Sequence, residues 1–485
     1  MKFVNILMTI GLLLGASSPA LAAATPEEAK RLTALFQSYL WQKPGVVRVI
    51  PQEDGYAAKL DLTPLFAKMK DPTVSLSLSP LEWTLTDQGG GKWKLDQNQS
   101  LTFSFGVKGQ GETKGSIASV TSTGIFDEAL GGLATSSAEL KTITLDQTVT
   151  NGAATTHISY AIDSISMQSS MQGTPDSADA TSTYGLKGLK ETISVPAAAD
   201  GSSPAMALIF ASPSGRQDAT VKDLRLKAVG DLVTWLMAHQ DKDAIVTEQA
   251  ALKDKLRAAL PLFSSLSASS TLDDVTAISP FGQFAVKQLG FGTEMNGIVA
   301  DGKLRETFSF SGLQVPQALL PPWAAGLVPD KFNLDVSVSD FDLAAPAAMI
   351  LDKLDLSKPE PLPKDLDGLL MLALIPKGSV TITLGPSELL AKLYDLTAEG
   401  SMTAGSVAMP AGMALLTLKG MDETMAALQA APPDIQQMSP MLLLAKGLGK
   451  AEADGSLSWK IEATAAGAIT VNGADVPKML GGGQQ

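Results

Sequence analysis

Two histidines, fifty carboxylates and no cysteine set the limits on the chemistry this 485-residue chain can carry. His157 lies in an alternating run and His239 near the end of a helical stripe. Neither has a second histidine at ligand spacing, so zinc finds no chelating motif. His157 reads as a strand-face residue and His239 as a helix C-terminal cation that complements the dipole. Without cysteine there is no disulfide, no thiolate nucleophile, no iron–sulfur ligand and no lipid-modified N-terminal thiol.

Hydrolytic chemistry has equally little to use. A Ser-His-Asp enzyme places its serine on a sharp turn, and no G-x-S-x-G occurs. Ser214, in Ser212-Pro213-Ser214-Gly215, comes nearest and lacks the leading glycine. Asp340-Phe341-Asp342 and Asp365-Leu366-Asp367-Gly368 gather carboxylates that could suggest calcium. Neither continues into the oxygen ligands and closing glutamate of an EF-hand, and Pro361 and Pro363 point to a plain turn. Both read as solvated carboxylates. The glycine-rich stretch 106–111 has no following Lys-Ser/Thr, so no phosphate loop is formed. The expectation is therefore no catalytic residue, no cofactor and no metal.

One segment carries weight for binding. Leu319-Leu320-Pro321-Pro322-Trp323-Ala324-Ala325-Gly326-Leu327-Val328-Pro329 is apolar, punctuated by proline and holds one of six tryptophans. Its prolines argue against a strand or a long helix, leaving an apolar loop between a strand ending near Gly312 and one starting near Phe332. Exposed loops of this kind mark contact with membrane, lipid or a partner; folded down, the same residues form a lid over a sheet end. Leu319, Leu320, Trp323 and Leu327 are the candidate binding residues. The Met-rich stretch from Met402 to Met441 suits an irregular apolar cavity or a plain core.

The elements that would position these residues follow from periodicity. A helix is predicted from Glu27 to Trp41, with Thr25 as cap, Pro26 at its first position, two glutamates in its first turn and Leu32, Leu35, Phe36, Tyr39 and Leu40 on one face. Pro44-Gly45 ends it. From there to about Leu226 the period is two: Thr73 to Leu78, Leu81 to Leu85, Lys92 to Leu95 across a triple-glycine turn, Leu101 to Phe105, Leu140 to Leu145 and Thr156 to Met167. Outward positions are mostly Ser, Thr, Gln and Asp, so one sheet face is solvated and pairing is antiparallel. A helical block from Ala228 to Leu260, broken near Asp241 and closed by Pro261, divides the chain.

The second half repeats the style. Leu304 to Phe310, Phe332 to Val338 and Val380 to Leu384 alternate, and Leu457 to Ile461 and Ile469 to Val471 close the pattern before an Asn472-Gly473 turn. Short helices fit Leu343 to Leu354, Met421 to Ala431 and Met438 to Lys446. Asp61-Leu62-Thr63-Pro64 and Asp342-Leu343-Ala344-Ala345-Pro346 each lead from a strand into an apolar helix, which hints at a duplicated unit. The expected fold is α+β and β-rich: extended antiparallel sheets, a few helices packed on one side, and two similar halves. Its parts are a signal peptide over 1–22, a first sheet-rich half over 23–227, the helical block over 228–261 and a second sheet-rich half over 262–480.

Composition and the first residues give the compartment. Lys2, an apolar run from Phe3 to Ala16 and Ala20-Leu21-Ala22 form the layout of a secretory signal peptide, and the run is shorter than the roughly 20 residues that span a bilayer. The protein is expected in the periplasm, soluble, with no transmembrane segment after cleavage. Hydrophobic residues make up 45% and charged residues 18%, enough to fold without disulfides at this length. The net charge is −13, and losing Lys2 makes the mature chain one unit more acidic. That balance, with no basic stripe, argues against nucleic acid and against anionic membrane surfaces. An outer-membrane barrel is disfavoured because the strands lack aromatic girdles.

Four stretches together resemble an uncharacterised domain-of-unknown-function family of bacterial periplasmic proteins, of the Gram-negative, alphaproteobacterial type. They are the export signal, the Leu81-Glu82-Trp83-Thr84-Leu85 and Lys92-Trp93-Lys94-Leu95 hairpin, Phe308 to Leu313 leading into the LLPPW run, and Gly467 to Gly473. The family has no established activity, so the resemblance assigns no site residue. It is also similar, at the level of fold, to the long β-sheet envelope proteins that cradle lipids (AsmA-like). The expected function is that of an exported, non-enzymatic envelope protein binding lipid or another envelope component. A purely structural or interaction module, and a hydrolase with an unrecognised carboxylate site, stand as alternatives.

Overall fold

The computed structural model describes the chain except for residues 1–23, 40–43, 67–72, 152–153, 198–203, 240, 406–408, 438 and 476–485. The leader assigned to residues 1–22 therefore lies outside the described residues. Strand accounts for 56% of the chain and helix for 21%, so the fold is β-rich as the alternation requires. The chain separates into two compact units, Met1–Leu266 with Leu351–Leu362, and Ser267–Ile350 with Pro363–Gln485.

The first unit begins with helix α1 (Pro26–Tyr39), whose first turn is capped as the sequence predicts: the Glu28 amide donates to the Thr25 hydroxyl at 3.2 Å. Strands β1 (Val47–Gln52) and β2 (Gly55–Leu60) follow, then a single turn of helix, α2 (Thr63–Phe66). The sheet continues through β3 (Val74–Leu78), β4 (Leu81–Gly89), β5 (Lys92–Val107), β6 (Gly111–Asp127), β7 (Gly132–Asn151), β8 (Ala154–Thr174), β9 (Ser177–Val195) and β10 (Met206–Leu224). From β5 onward each strand pairs antiparallel with the next, and β5 holds β4 against its first half and β3 against its second.

Several expected strands are one strand. Lys92 to Leu95 and Leu101 to Phe105 both belong to β5, joined across an irregularity between Gln99 and Leu101. Strands of 16 to 21 residues, three times the usual length, become possible because the ladder is held on both faces. On one face Ile117 opposes Ile143 and Val120 opposes Leu140. On the other, hydroxyls pair across strands, as Ser116 does with Thr144 at 2.8 Å. Gly115 is required where it stands: a Cβ there would lie 2.2 Å from the Phe103 ring on the neighbouring strand.

The core of this unit sits where α1 crosses the sheet. Ala29, Leu32 and Phe36 pack with Val46, Val47, Val49, Tyr56, Ala58, Leu60, Leu85, Trp93 and Phe126. Burying each large member contributes on the order of 1.5–3 kcal/mol. One charged group lies among them. Glu128 is 1% exposed and accepts from both terminal nitrogens of Arg31, at 3.0 and 2.7 Å, and from the Trp93 indole at 2.6 Å. The Glu128 and Glu28 carboxylates hold the Arg31 guanidinium well above its usual pKa. This ion pair pins α1 to the turn between β6 and β7.

Helices α3 (Leu226–Ala238), α4 (Lys242–Thr247) and α5 (Gln249–Ala259) form the predicted helical block. The break falls at Asp241, which caps α4 by accepting from the Asp243 amide at 2.9 Å.

After β11 (Ser265–Ser279), the second unit is built on β12 (Gly282–Asn296), β13 (Gly302–Ser311), β14 (Pro329–Phe341), β15 (Ser379–Ala391), β16 (Asp395–Gly405), β17 (Ala411–Lys419), β19 (Leu457–Ala463) and β20 (Ile469–Val471). These pair antiparallel in that order, with β18 (Lys450–Ala451) on β19 and β21 (Ala474–Asp475) on β20. Helices α6 (Ala344–Lys353) and α7 (Leu366–Leu374) lie between β14 and β15. Helices α8 (Met421–Gln429), α9 (Pro433–Gln436) and α10 (Ser439–Leu448) lie between β17 and β18. Asp61 and Asp342, the residues of the suspected repeat, act alike: each carboxylate accepts an amide at 2.9 Å at the start of the following helix, from Thr63 and Ala345.

Candidate functional site

The register of the second unit sorts its side chains into two faces. Opposed residues of an antiparallel pair point the same way, and one chain of partners runs Phe291–Phe308–Leu334, then Val336–Leu384, Val338–Ile382–Met402 and Leu389–Leu396–Leu418–Leu457. An irregularity between Leu384 and Ser387 in β15 keeps both ends of that strand in step with the same face. The result is a largely apolar surface over seven strands, interrupted by Glu306, which stands between Thr293 and Val336 and accepts from the Thr293 hydroxyl at 2.6 Å. At a spacing of ~4.8 Å it is about 29 Å across, roughly twice the ~15 Å depth of acyl chain in one leaflet.

The opposite face is mostly polar, with Met413 and Leu415 of β17 exposed on it. Arg305 binds Asp335 through two nitrogens at 2.9 Å each and Glu294 at 3.0 Å, Lys331 pairs with Glu388 at 2.6 Å, and Lys460 pairs with Glu462 at 2.7 Å. The Asp335 carboxyl is held below its usual range by hydrogen bonding to Arg305, against an opposing effect of burial.

The apolar face is open. Between β12 and β16 its large residues are half-buried, and Phe291 and Met402 are exposed. Four phenylalanines form its densest part: the Phe308 ring lies 5.1 Å from Phe291 and 5.9 Å from Phe332, and Phe310 lies 5.7 Å from Phe332. Among the described residues, a helix covers it toward β19. There Trp459 is buried and its indole donates to the Ala445 carbonyl in α10 at 2.7 Å.

The predicted binding residues lie at one end of this sheet, between β13 and β14. Leu319 is exposed and closes a 3-10 turn, Gln317–Leu319, while Leu320, Trp323 and Leu327 are half-buried. The loop is tied to the β15–β16 turn, where the Leu393 amide donates to the Gly326 carbonyl at 3.1 Å and the Tyr394 hydroxyl to the Leu327 carbonyl at 3.3 Å. Burial pushes the Tyr394 hydroxyl up.

The residues weighed for chemistry remain apart. His157 stands exposed on β8, between Thr148 and Ser194. His239 stacks on Trp235 at 3.9 Å, contacts the Trp235 carbonyl through Nδ1 at 2.8 Å and pairs with Glu248 at 3.2 Å. Asp340 is engaged by Lys377 at 2.5 Å and by the Thr381 hydroxyl at 2.7 Å, which hold its carboxyl low. Ser214 sits within β10, where its carbonyl accepts from the Ser212 hydroxyl. Among the described residues no group of three or more His, Asp or Glu is placed to hold a metal ion.

The phenylalanine cluster escaped the sequence reading. Alternation in Leu304 to Phe310 and Phe332 to Val338 identifies two of its strands, but only the register brings Phe291 beside them. No family model, curated protein or solved structure matches the chain. Among the described residues no helix is long and apolar enough to cross a membrane.

Proposed function

We propose that this is an exported, non-enzymatic envelope protein that seats lipid acyl chains along the apolar face of its second unit. The observation that carries the reading is that face itself: seven strands wide, lined mostly by Phe, Leu, Ile and Val, and, among the described residues, without a covering layer over β12 to β16. Apolar surface of this extent left to water is unfavourable by about 25 cal/mol per Å², and soluble monomers keep such patches small. Hydrocarbon fits its aliphatic and aromatic stretches, which ask for no hydrogen bond and no charge, while the Glu306 carboxylate among them is engaged by the Thr293 hydroxyl. The leader over residues 1–22 supports the periplasmic compartment, where lipids pass between membranes. Membership of the uncharacterised periplasmic family, two related halves and helices gathered on one side of the sheets belong to the same reading.

Native mass spectrometry of the protein from its own periplasm tests this, with a denatured sample as control. The expected result is a bound lipid mass, lost on denaturation and lost when Phe308 is replaced by Glu, on a chain whose N-terminus lies within a few residues of Ala23. A folded, lipid-free wild-type protein would overturn the acyl-chain reading. An intact Met1 in the membrane fraction would overturn the soluble periplasmic one.

A further inference from the structure

One end of the second unit's sheet, where β15 and β17 begin and β16 ends, carries exposed apolar residues from three separate segments. Leu369, Met371 and Leu372 project from α7, with Met371 54% and Leu372 65% exposed. Met409 (61% exposed) and Met413 lie at the β16–β17 tip, and Ile469 opens β20. Backbone contacts join the segments. The Asp342 amide donates to the Leu374 carbonyl at 2.8 Å, holding the C-terminus of α7 at the end of β14. A Cβ on Gly405 would lie 2.0 Å from the Gly378 carbonyl oxygen, and one on Gly467 would lie 3.5 Å from the Met409 methyl.

The sequence of these segments says what they face. Gly368 to Pro376, Gly400 to Leu418 and Ala463 to Ala474 contain no Asp, Glu, Lys or Arg, in a chain that is 18% charged. They also contain no Trp, Tyr or Phe, so the aromatic and arginine anchors that dominate protein–protein interfaces are missing. Leu and Met side chains on stretches without charge suit a fluid apolar phase, and Lys377, which follows α7, is paired with Asp340 at 2.5 Å. A net charge of −13 directs the protein away from anionic lipid, leaving a neutral surface. The rim is also continuous with the apolar face, since Met402 opposes both Ile382 and Gly412, and Ile469 opposes Ala463.

We propose that this rim is a membrane-contact edge: Leu369, Met371, Leu372 and Met409 insert into the interfacial region of a neutral bilayer, delivering acyl chains directly onto the adjoining face. The delivery step rests on the acyl-binding reading; the membrane contact does not.

The test is co-sedimentation of the mature full chain with phosphatidylcholine vesicles at about 50 mM and about 500 mM salt, between which screening of surface charge changes several-fold. Binding should be the same at both. The double variant Leu372→Glu, Met409→Glu should weaken it at least about tenfold, equivalent to ~1.4 kcal/mol, while retaining the circular dichroism and co-purified lipid of the wild type. Leu369→Glu, on the same helix, should weaken it in the same direction. Phe308→Glu should lose co-purified lipid and keep vesicle binding. A wild type that ignores phosphatidylcholine vesicles, that binds only anionic vesicles at low salt, or that binds equally well as the double variant overturns the membrane edge. A protein that binds vesicles but carries no lipid overturns the acyl-binding reading and leaves the edge standing.

Discussion

Replacing Arg31 by Met keeps most of the side-chain volume and removes every donor. In the wild type Arg31 gives Glu128 two charge-assisted hydrogen bonds, at 3.0 and 2.7 Å, while Glu128 is 1% exposed. Hydrogen bonds to charged groups contribute about 1.5–3 kcal/mol each, and stranding a buried charge costs about 3–5 kcal/mol. The Arg31 side chain is 34% exposed, so water reaches the space it leaves and the lower end applies. The expected loss is ~3 kcal/mol for the first unit. Arg31→Met with Glu128→Leu removes both charges, leaving the Trp93 indole without its acceptor at 2.6 Å and the half-exposed Glu28 to water, and should cost less than Arg31→Met alone. The assay is hydrogen exchange across residues 26–39, with denaturant unfolding followed by far-ultraviolet circular dichroism. Protection of α1 should fall by about a hundredfold in Arg31→Met, from ~1.4 kcal/mol per factor of ten, and recover in part in the double variant. A loss below ~1 kcal/mol, or a double variant as unstable as the sum of the singles, would refute the claim that a buried ion pair pins the helix.

Two further outcomes follow from the second unit. Asp335 is held below its ordinary pKa by Arg305. Its contribution is therefore present above the unfolded carboxylate value of about 4 and fades as pH falls through the lower folded value; Asp335→Asn should flatten the acid limb of a stability–pH curve measured by thermal unfolding, and an unchanged limb counts against the pair. Trp459→Phe deletes the 2.7 Å hydrogen bond to Ala445. It should cost about 1–2 kcal/mol and raise protease cleavage within 439–448, with cleavage elsewhere as in the wild type.

Local patterns made much of this chain legible in advance. Thr25, Pro26 and the glutamates behind them specify where α1 starts, because capping and dipole effects act within one turn. The break at Asp241 is legible for the same reason: its carboxylate reaches an amide two residues on. Strands such as Phe332 to Val338 show themselves by alternation, since successive side chains in a strand point to opposite faces. Those patterns sufficed for a β-rich antiparallel fold, and the absent cysteines for a fold without disulfides.

Tertiary structure decided what the patterns could not reach. Strand length was hidden because Ser and Thr suit either face of a ladder, so nothing in Gln97 to Gln99 announces that β5 runs on. Glu128 gives no sign in sequence of being buried, since its partners are 97 and 35 residues away. The apolar face has the same origin. Phe291, Phe308 and Phe332 are scattered over three strands and become one surface only through the register of β12, β13 and β14. A period of two says which residues share a side of their own strand; which strands stand together, and what is left uncovered, is settled by long-range pairing.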